Sequence, residues 1–401
     1  MQSPAETLCK TSLGPLGSET MPTSAAGPAT ETPSAGPVCR LAIWHTEGTA
    51  ISGLLSWMWR LKKSLPQAGI ELTLVSMEIK PWRFAQVCDP DKIYDVRIRS
   101  PRELIAFLKT HRSSVHLINH SYEYVDLLEK LHPGILKQLM LVGICHTDQD
   151  YYYHNLRRLD SRLGGIVAVS PRCVEKLEEL LPHRRGTIPV LPDWDMPVET
   201  TPTVRYQNEK QPLRVLFNGR LLHLQKRVLD LPEISRRLAQ MQAPVTLTIV
   251  GDGPDLPRLR EEFSQGDHIP YRLLWPRAPW EMAQLLEAHD VFLQISEFEG
   301  ASVSLMEAMI AGLVPVVTST ESGTELLEND RNAVMCPVGD VAAIAERLAE
   351  LAKNRARIPQ LGREAFQTAK TYLTKLGYAR TMREYLERLQ AARDPLVLSA
   401  S

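Results

Sequence analysis

Two acidic residues in the later half of the chain stand where their chemistry could be used. The run Val291-Phe292-Leu293-Gln294-Ile295 has the texture of a buried strand. It leads into Ser296-Glu297-Phe298-Glu299-Gly300-Ala301-Ser302 and then a helix-like stretch bearing Glu307. A glycine-bearing loop at a helix N-terminus offers free backbone N–H groups and the positive end of the helix dipole, which suits a phosphate. Glu299 on that loop can accept hydrogen bonds from hydroxyl groups. Glu307 lies within the otherwise apolar Leu305-Met306-Glu307-Ala308-Met309-Ile310. A carboxylate there is costly unless a cation or ligand satisfies it, and ribose hydroxyls are one such partner. In a chain with 47 acidic residues such a pair is common by chance, so spacing alone would leave two helix-surface glutamates. The loop, helix and flanking strands together turn the reading towards a ligand site.

Basic residues upstream fit the same chemistry. After the apolar run ending at Phe217 come Asn218-Gly219-Arg220 and then Lys226-Arg227. Gly219 lets the backbone turn and approach a ligand closely. Arg220 and Lys226 can hold diphosphate oxygens, or simply form a solvated basic loop. Gly251-Asp252-Gly253-Pro254 opens another helix but lacks the third glycine of a dinucleotide fingerprint, with Leu256 in its place. On its own it marks a tight structural turn.

In the first half, Gly48, Ala50 and Gly53 form a strand-exit loop that serves either a ligand or a plain turn. His146 follows an apolar run and is surrounded by Cys145, Thr147, Asp148, Gln149, Asp150 and Tyr151-Tyr152-Tyr153. That polar and aromatic cluster suits sugar contacts, and His120 competes with it for the role; either could be a satisfied structural histidine. Asp148-x-Asp150 and Asp193-x-Asp195 both match a metal-binding Asp-x-Asp. Because the pattern occurs twice and explains nothing in the second half, capping or solvated loops account better for both. Lys62-Lys63 and Arg184-Arg185 offer contacts to anionic lipid, although solvated faces explain them as well.

These residues need elements to position them, and the chain supplies two series of short apolar strands alternating with amphipathic helices. In the first, strands are expected at Leu41 to Trp44, Glu71 to Val75, Val115 to Ile118, Leu139 to Ile144 and Gly165 to Val169. Ser100-Pro101 and Ser170-Pro171 each place an N-cap residue before a first-turn proline. In the second, strands are expected at Leu213 to Phe217, Val245 to Val250, Tyr271 to Leu274, Val291 to Ile295 and Val314 to Val317. Such alternation argues for α/β architecture with parallel sheets covered on both faces. The expected organisation is a disordered tail over 1–38, domains at 39–200 and 201–390, and a short tail at 391–401. Residues 195–212, with three prolines, form the expected linker. Tyr378 to Leu389 has the spacing of an amphipathic helix.

Composition sets outer limits. At 401 residues, 44% hydrophobic and 23% charged, the chain is globular, and a formal charge of −1 gives no basic footprint for nucleic acid. Six scattered cysteines form neither zinc pairs nor a disulfide scaffold, which fits reduced thiols in a cytoplasmic setting. No signal peptide or spanning segment is evident.

The segments Gly219-Arg220…Lys226, Val250-Gly251-Asp252-Gly253-Pro254 and Glu299-Gly300…Glu307-Ala308-Met309 resemble the retaining GT-B glycosyltransferases of family 4, the group 1 type. The likeness covers residues 213 to 390, where three motifs agree in order, and is looser over 40 to 195. It implies the GT-B fold, two facing Rossmann-like parallel-sheet domains with an interdomain cleft. It also implies transfer of a sugar from a UDP- or GDP-sugar to a hydroxyl acceptor, a glycan or lipid-linked saccharide, with retention. No cofactor or obligatory metal is implied, nor any nucleic acid; peripheral contact with the inner face of a membrane stays open.

By the same resemblance Arg220 and Lys226 bind the donor diphosphate, with His146 on the donor sugar and Gly48 near the diphosphate. Gly219, Gly251 and Arg277 join the donor site. Glu299, Gly300, Ala301 and Ser302 orient the sugar, and Glu307 holds the ribose. The terminal helix would cross back to the first domain. The chain departs from the family at Trp275-Pro276-Arg277, beside the base, at Ala301-Ser302, at Asn332-Ala333 and at Asp193-Trp194. These departures keep two alternatives in view, a non-catalytic sugar-nucleotide-binding or interaction module and a GT-B nucleotide-sugar epimerase.

Overall fold

The computed structural model describes residues 39–50, 52–80, 86–195, 211–321 and 323–398. The expected N-terminal tail and most of the expected linker lie outside the described residues.

Two six-stranded sheets carry the fold. The first contains β1 (Cys39–His45), β2 (Ile70–Met77), β3 (Val96–Ile98), β4 (Val115–Ile118), β5 (Met140–Cys145) and β6 (Gly165–Ala168), in the order β3-β2-β1-β4-β5-β6. The second contains β7 (Leu213–Asn218), β8 (Val245–Val250), β9 (Tyr271–Leu274), β10 (Val291–Gln294), β11 (Val314–Thr318) and β12 (Val334–Cys336), in the order β12-β11-β10-β7-β8-β9. Every strand pairing is parallel. Both sheets therefore have the doubly wound order, whose direction reverses between β1 and β4 in one and between β7 and β10 in the other. Ligands bind outside the carboxyl ends of strands at such reversals.

The strands are apolar because both faces are covered. Leu41, Ile43, Leu74, Leu117 and Ile144 meet one helical layer, whereas Ala42, Trp44, Val75 and Leu141 meet the other. Ser100 and Ser170 cap helices Pro101–Thr110 and Pro171–Leu180 by accepting from Glu103 and Cys173 N–H, so each serine–proline start forms as the sequence indicates.

The last helix, Tyr378–Leu398, returns to the first sheet. Its Tyr378, Met382, Tyr385 and Leu386 are buried among first-domain residues, with Leu389 packed against them. Trp57 Nε1 donates to Tyr378 Oη at 3.2 Å, and Tyr385 Oη donates to the Ile166 carbonyl at 3.2 Å. The helix runs through Leu398, so most of the expected tail at 391–401 continues it; Ala391 and Ala392 are good helix formers. Among the described residues, no helix is long and apolar enough to cross a membrane.

Candidate active site

The exits of β1, β4, β5, β7 and β10 converge on a cleft with a cavity of about 270 Å³. Two helix N-termini meet at it. Ser52 caps Gly53–Gln67 by accepting from Leu55 N–H, and Ser302 caps Val303–Ile310 by accepting from Leu305 N–H. The two ends touch, since a Cβ on Gly53 would lie 2.9 Å from the Val303 side chain. Two positive dipole ends thus face the same space, an arrangement that favours an anion.

Second-domain side chains supply charge. Lys226 Nζ lies 2.5 Å from Glu299 Oε1, and Ser296 Oγ also donates to that carboxylate. The Glu299 and Lys226 side chains are only 5% and 16% exposed. Arg220 donates to Glu47 of the β1 exit at 2.8 Å, across the cleft. Burial alone would raise the Glu47 carboxyl, but the Arg220 guanidinium beside it more than offsets this and holds the group below its ordinary range. Glu307 receives a charge-assisted hydrogen bond from Arg60 of helix Gly53–Gln67, and both are largely buried.

First-domain side chains supply polar rings. His146 and His120 are stacked, with ring centroids 5.5 Å apart and planes 11° apart. His120 Nε2 is 2.6 Å from Tyr152 Oη, and burial presses its pKa down to about 3, so this ring is neutral. Both histidines line the cavity; the competition between them resolves into a stacked pair. Deeper in, burial lowers His45 to about 4, and its Nδ1 lies 2.7 Å from Tyr94 Oη.

Of the residues singled out in the sequence, Gly219, Arg220, Lys226, Arg277, Glu299, Ala301, Ser302, Glu307 and His146 line the cavity. Gly48, Gly251 and Gly300 do not, and packing explains each. Gly48 adopts φ 60, and its carbonyl accepts from Tyr94 Oη. A Cβ on Gly251 would lie 2.1 Å from the Gly219 carbonyl, so this glycine seats the Arg220 loop rather than a ligand. Gly300 pairs with Thr147 in an antiparallel bridge between the domains, and a Cβ there would lie 2.2 Å from the His146 carbonyl.

The Asp-x-Asp pairs separate into structural tasks. Asp148 accepts from Tyr153 Oη at 2.8 Å and Lys176 Nζ at 2.6 Å, while Asp150 sits exposed in the first turn of helix Asp150–Leu159. Asp193 and Asp195 are not solvated but buried: Asp193 binds His146 and Asp195 accepts from Ser64. Glu47 and Arg60 are site residues that the sequence does not announce, and Asp193, marked there only as half of an Asp-x-Asp pattern, pairs with His146 instead. Lys62 and Arg184 are engaged by Asp95 and Asp160, which accounts for half of each basic pair.

A glycine-seated basic loop at the β7 exit, facing Glu299 and a helix bearing Glu307, lies within residues 212–354, which match the family of group 1 glycosyl transferases. The chain carries a group 1 glycosyltransferase domain. That domain extends from β7 into helix Val341–Lys353. The chain is 33% identical over 188 residues to the amylovoran biosynthesis glycosyltransferase AmsK of Erwinia amylovora, covering 45% of this chain and 46% of AmsK. It is 35% identical over 127 residues to the putative colanic acid biosynthesis glycosyltransferase WcaL of Escherichia coli K12, covering 29% and 30%. Each match spans less than half of the relative's length. The fold extends beyond the glycosyltransferase domain. HepE of Anabaena, solved in complex with UDP-glucose, superposes with a TM-score of 0.64 at 14% identity over 87% of this chain and 99% of that one. TarM of S. aureus superposes with a TM-score of 0.59 at 14% identity over 72% and 57%. The architecture is GT-B, two Rossmann-like sheets with the glycosyltransferase domain as the second.

Proposed function

We propose that this chain transfers a hexose or N-acetylhexosamine unit from a UDP- or GDP-sugar to a hydroxyl of a glycan or lipid-linked saccharide, with retention at the anomeric carbon. The observation that carries the reading is the convergence of Arg220, Lys226 and two helix N-termini on one cleft, opposite His146. A diphosphate placed there meets two cations and two positive dipole ends. Glu47 then yields Arg220 to the phosphate, and Lys226 lies between phosphate and Glu299. As the glycosidic bond breaks, negative charge grows on the leaving phosphate, where Arg220 and Lys226 are already fixed and need little reorganisation. The acceptor attacks from the same face and passes its proton to that phosphate. Glu299 and His146 take sugar hydroxyls, and Glu307 with Arg60 flanks the ribose. HepE, with UDP-glucose, and the pneumococcal O-GlcNAc transferase GtfA, solved with UDP and GlcNAc, support a nucleotide-sugar reading by analogy of fold.

The test is a thermal-shift screen of UDP- and GDP-sugars. One donor class should raise the melting temperature in a saturable way, and a flat response to all of them would favour a non-catalytic interaction module. A second expected result concerns metal. Transfer should survive EDTA, because the leaving diphosphate is neutralised by protein cations. Activity lost in EDTA and restored only by Mn²⁺ would overturn that assignment.

A further inference from the structure

We propose that Asp193 is the positioning residue for His146, fixing the tautomer and direction of its imidazole so that the cleft presents a ring nitrogen as hydrogen-bond acceptor. The identity of the ligand rests on the donor-site reading above; the hold of Asp193 on His146 does not.

The geometry is specific. Asp193 Oδ2 lies 2.7 Å from His146 Nδ1, and each side chain is only 4% exposed. An ionised carboxylate only accepts, so the shared hydrogen sits on Nδ1, and a neutral ring then keeps its lone pair on Nε2. The ring has little freedom to turn. His120 stacks on it, while the Trp57 and Tyr152 rings meet it edge-on at centroid distances of 5.8 Å and 6.1 Å. Its backbone is pinned as well, since Thr147 pairs with Gly300 of the opposite domain.

Both ends of this dyad are otherwise unspent. His146 Nε2 is buried and has no hydrogen-bond partner among the described residues, although His146 lines the cavity. Asp193 Oδ1 likewise has no partner among them. A buried polar atom left unpaired is costly, so the aspartate is held there for the sake of the ring. A ligand hydroxyl or N–H would satisfy the ring's free nitrogen. The next residue ties the dyad to the donor side, because Trp194 Nε1 donates to the Ser302 carbonyl at 3.2 Å, at the cap of helix Val303–Ile310. The segment that aims His146 is thus anchored in both domains.

Long-range proton–nitrogen NMR on the full chain labelled with ¹⁵N-histidine reads the tautomer without any donor. The His146 signal is identified by its loss in His146→Gln. The wild-type ring should be the Nδ1–H tautomer. Asp193→Ala should move it to the Nε2–H tautomer or an average of the two, and Asp193→Glu should restore it. Asp193→Ser serves if the alanine variant does not fold. A wild-type ring in the Nε2–H or doubly protonated form, or a tautomer unchanged in Asp193→Ala, would overturn the proposal.

A second arm compares UDP-glucose with UDP and GDP-mannose with GDP. Asp193→Ala should weaken the sugar nucleotide roughly 10-fold, the order expected for one lost hydrogen bond to the ligand, and leave the bare nucleotide unchanged. Equal weakening of both would mean a structural role and defeat the proposal. If wild type binds none of the four, the donor reading fails and the tautomer alone decides.

Discussion

Lys226→Ala is expected to lower the rate of sugar transfer by roughly 10²–10³-fold, the effect of removing one preorganised donor from a developing anion. Its side chain is 16% exposed, with the ammonium 2.5 Å from Glu299 Oε1. It therefore costs little reorganisation when charge appears on a leaving phosphate. The substitution has a second consequence, because it strips the cation from a carboxylate that is 5% exposed and leaves Ser296 as the remaining side-chain donor shown for it. An uncompensated buried carboxylate destabilises the fold. The decisive variant is therefore Lys226→Ala combined with Glu299→Gln, in which no buried charge is orphaned. Chemical denaturation should show the double variant closer to wild type than the single, while single-turnover transfer stays depressed. Wild-type turnover in either variant would remove Lys226 from the leaving-group site.

The contrast between Lys226 and its neighbours shows what was legible in the sequence. Arg220, Lys226, Glu299 and Glu307 follow apolar strands at short intervals, and a strand exit in an open parallel sheet is a local feature. The central strands are legible for the same reason, being apolar runs bounded by turns. The edge strands β3 and β12 are not, because three residues each carry too little alternation to register. Glu47, Arg60 and the pairing of Asp193 with His146 escape for a different reason. Their partners lie 173, 247 and 47 residues away in sequence; the docking of two sheets brings the first two pairs together, and the fold of the first domain itself brings Asp193 to His146. Spacing is also silent about burial. It makes Asp193-x-Asp195 look like Asp148-x-Asp150, yet the first pair is buried and the second partly open to solvent. Gly251 and Gly300 match family motifs, but their lack of a Cβ is used for backbone contacts with Gly219 and His146. A motif identifies the residue without saying which neighbour required it.

Glu307→Ala carries the largest expected effect on stability. Read alone, a carboxylate in an apolar helix needs a ligand to satisfy it; in the fold it already has Arg60, whose side chain is 12% exposed against 6% for Glu307. Breaking a buried pair from one side costs about 3–5 kcal/mol, because the surviving charge is left in a poorly solvated place. The urea midpoint should therefore fall in Glu307→Ala, and donor binding lost in that variant would not by itself distinguish a ribose contact from a sprung interdomain strut. The pair Arg60→Met with Glu307→Leu makes the distinction. Replacing both charges with apolar groups of similar volume is often neutral or stabilising, so the double variant should recover most of the midpoint. If Glu307 holds the ribose, binding of the nucleotide remains lost in that restored protein. Recovery of nucleotide binding along with stability would show that Glu307 serves only to join helix Val303–Ile310 to helix Gly53–Gln67. In that case the affinity for donor would rest on Arg220, Lys226 and the two helix ends.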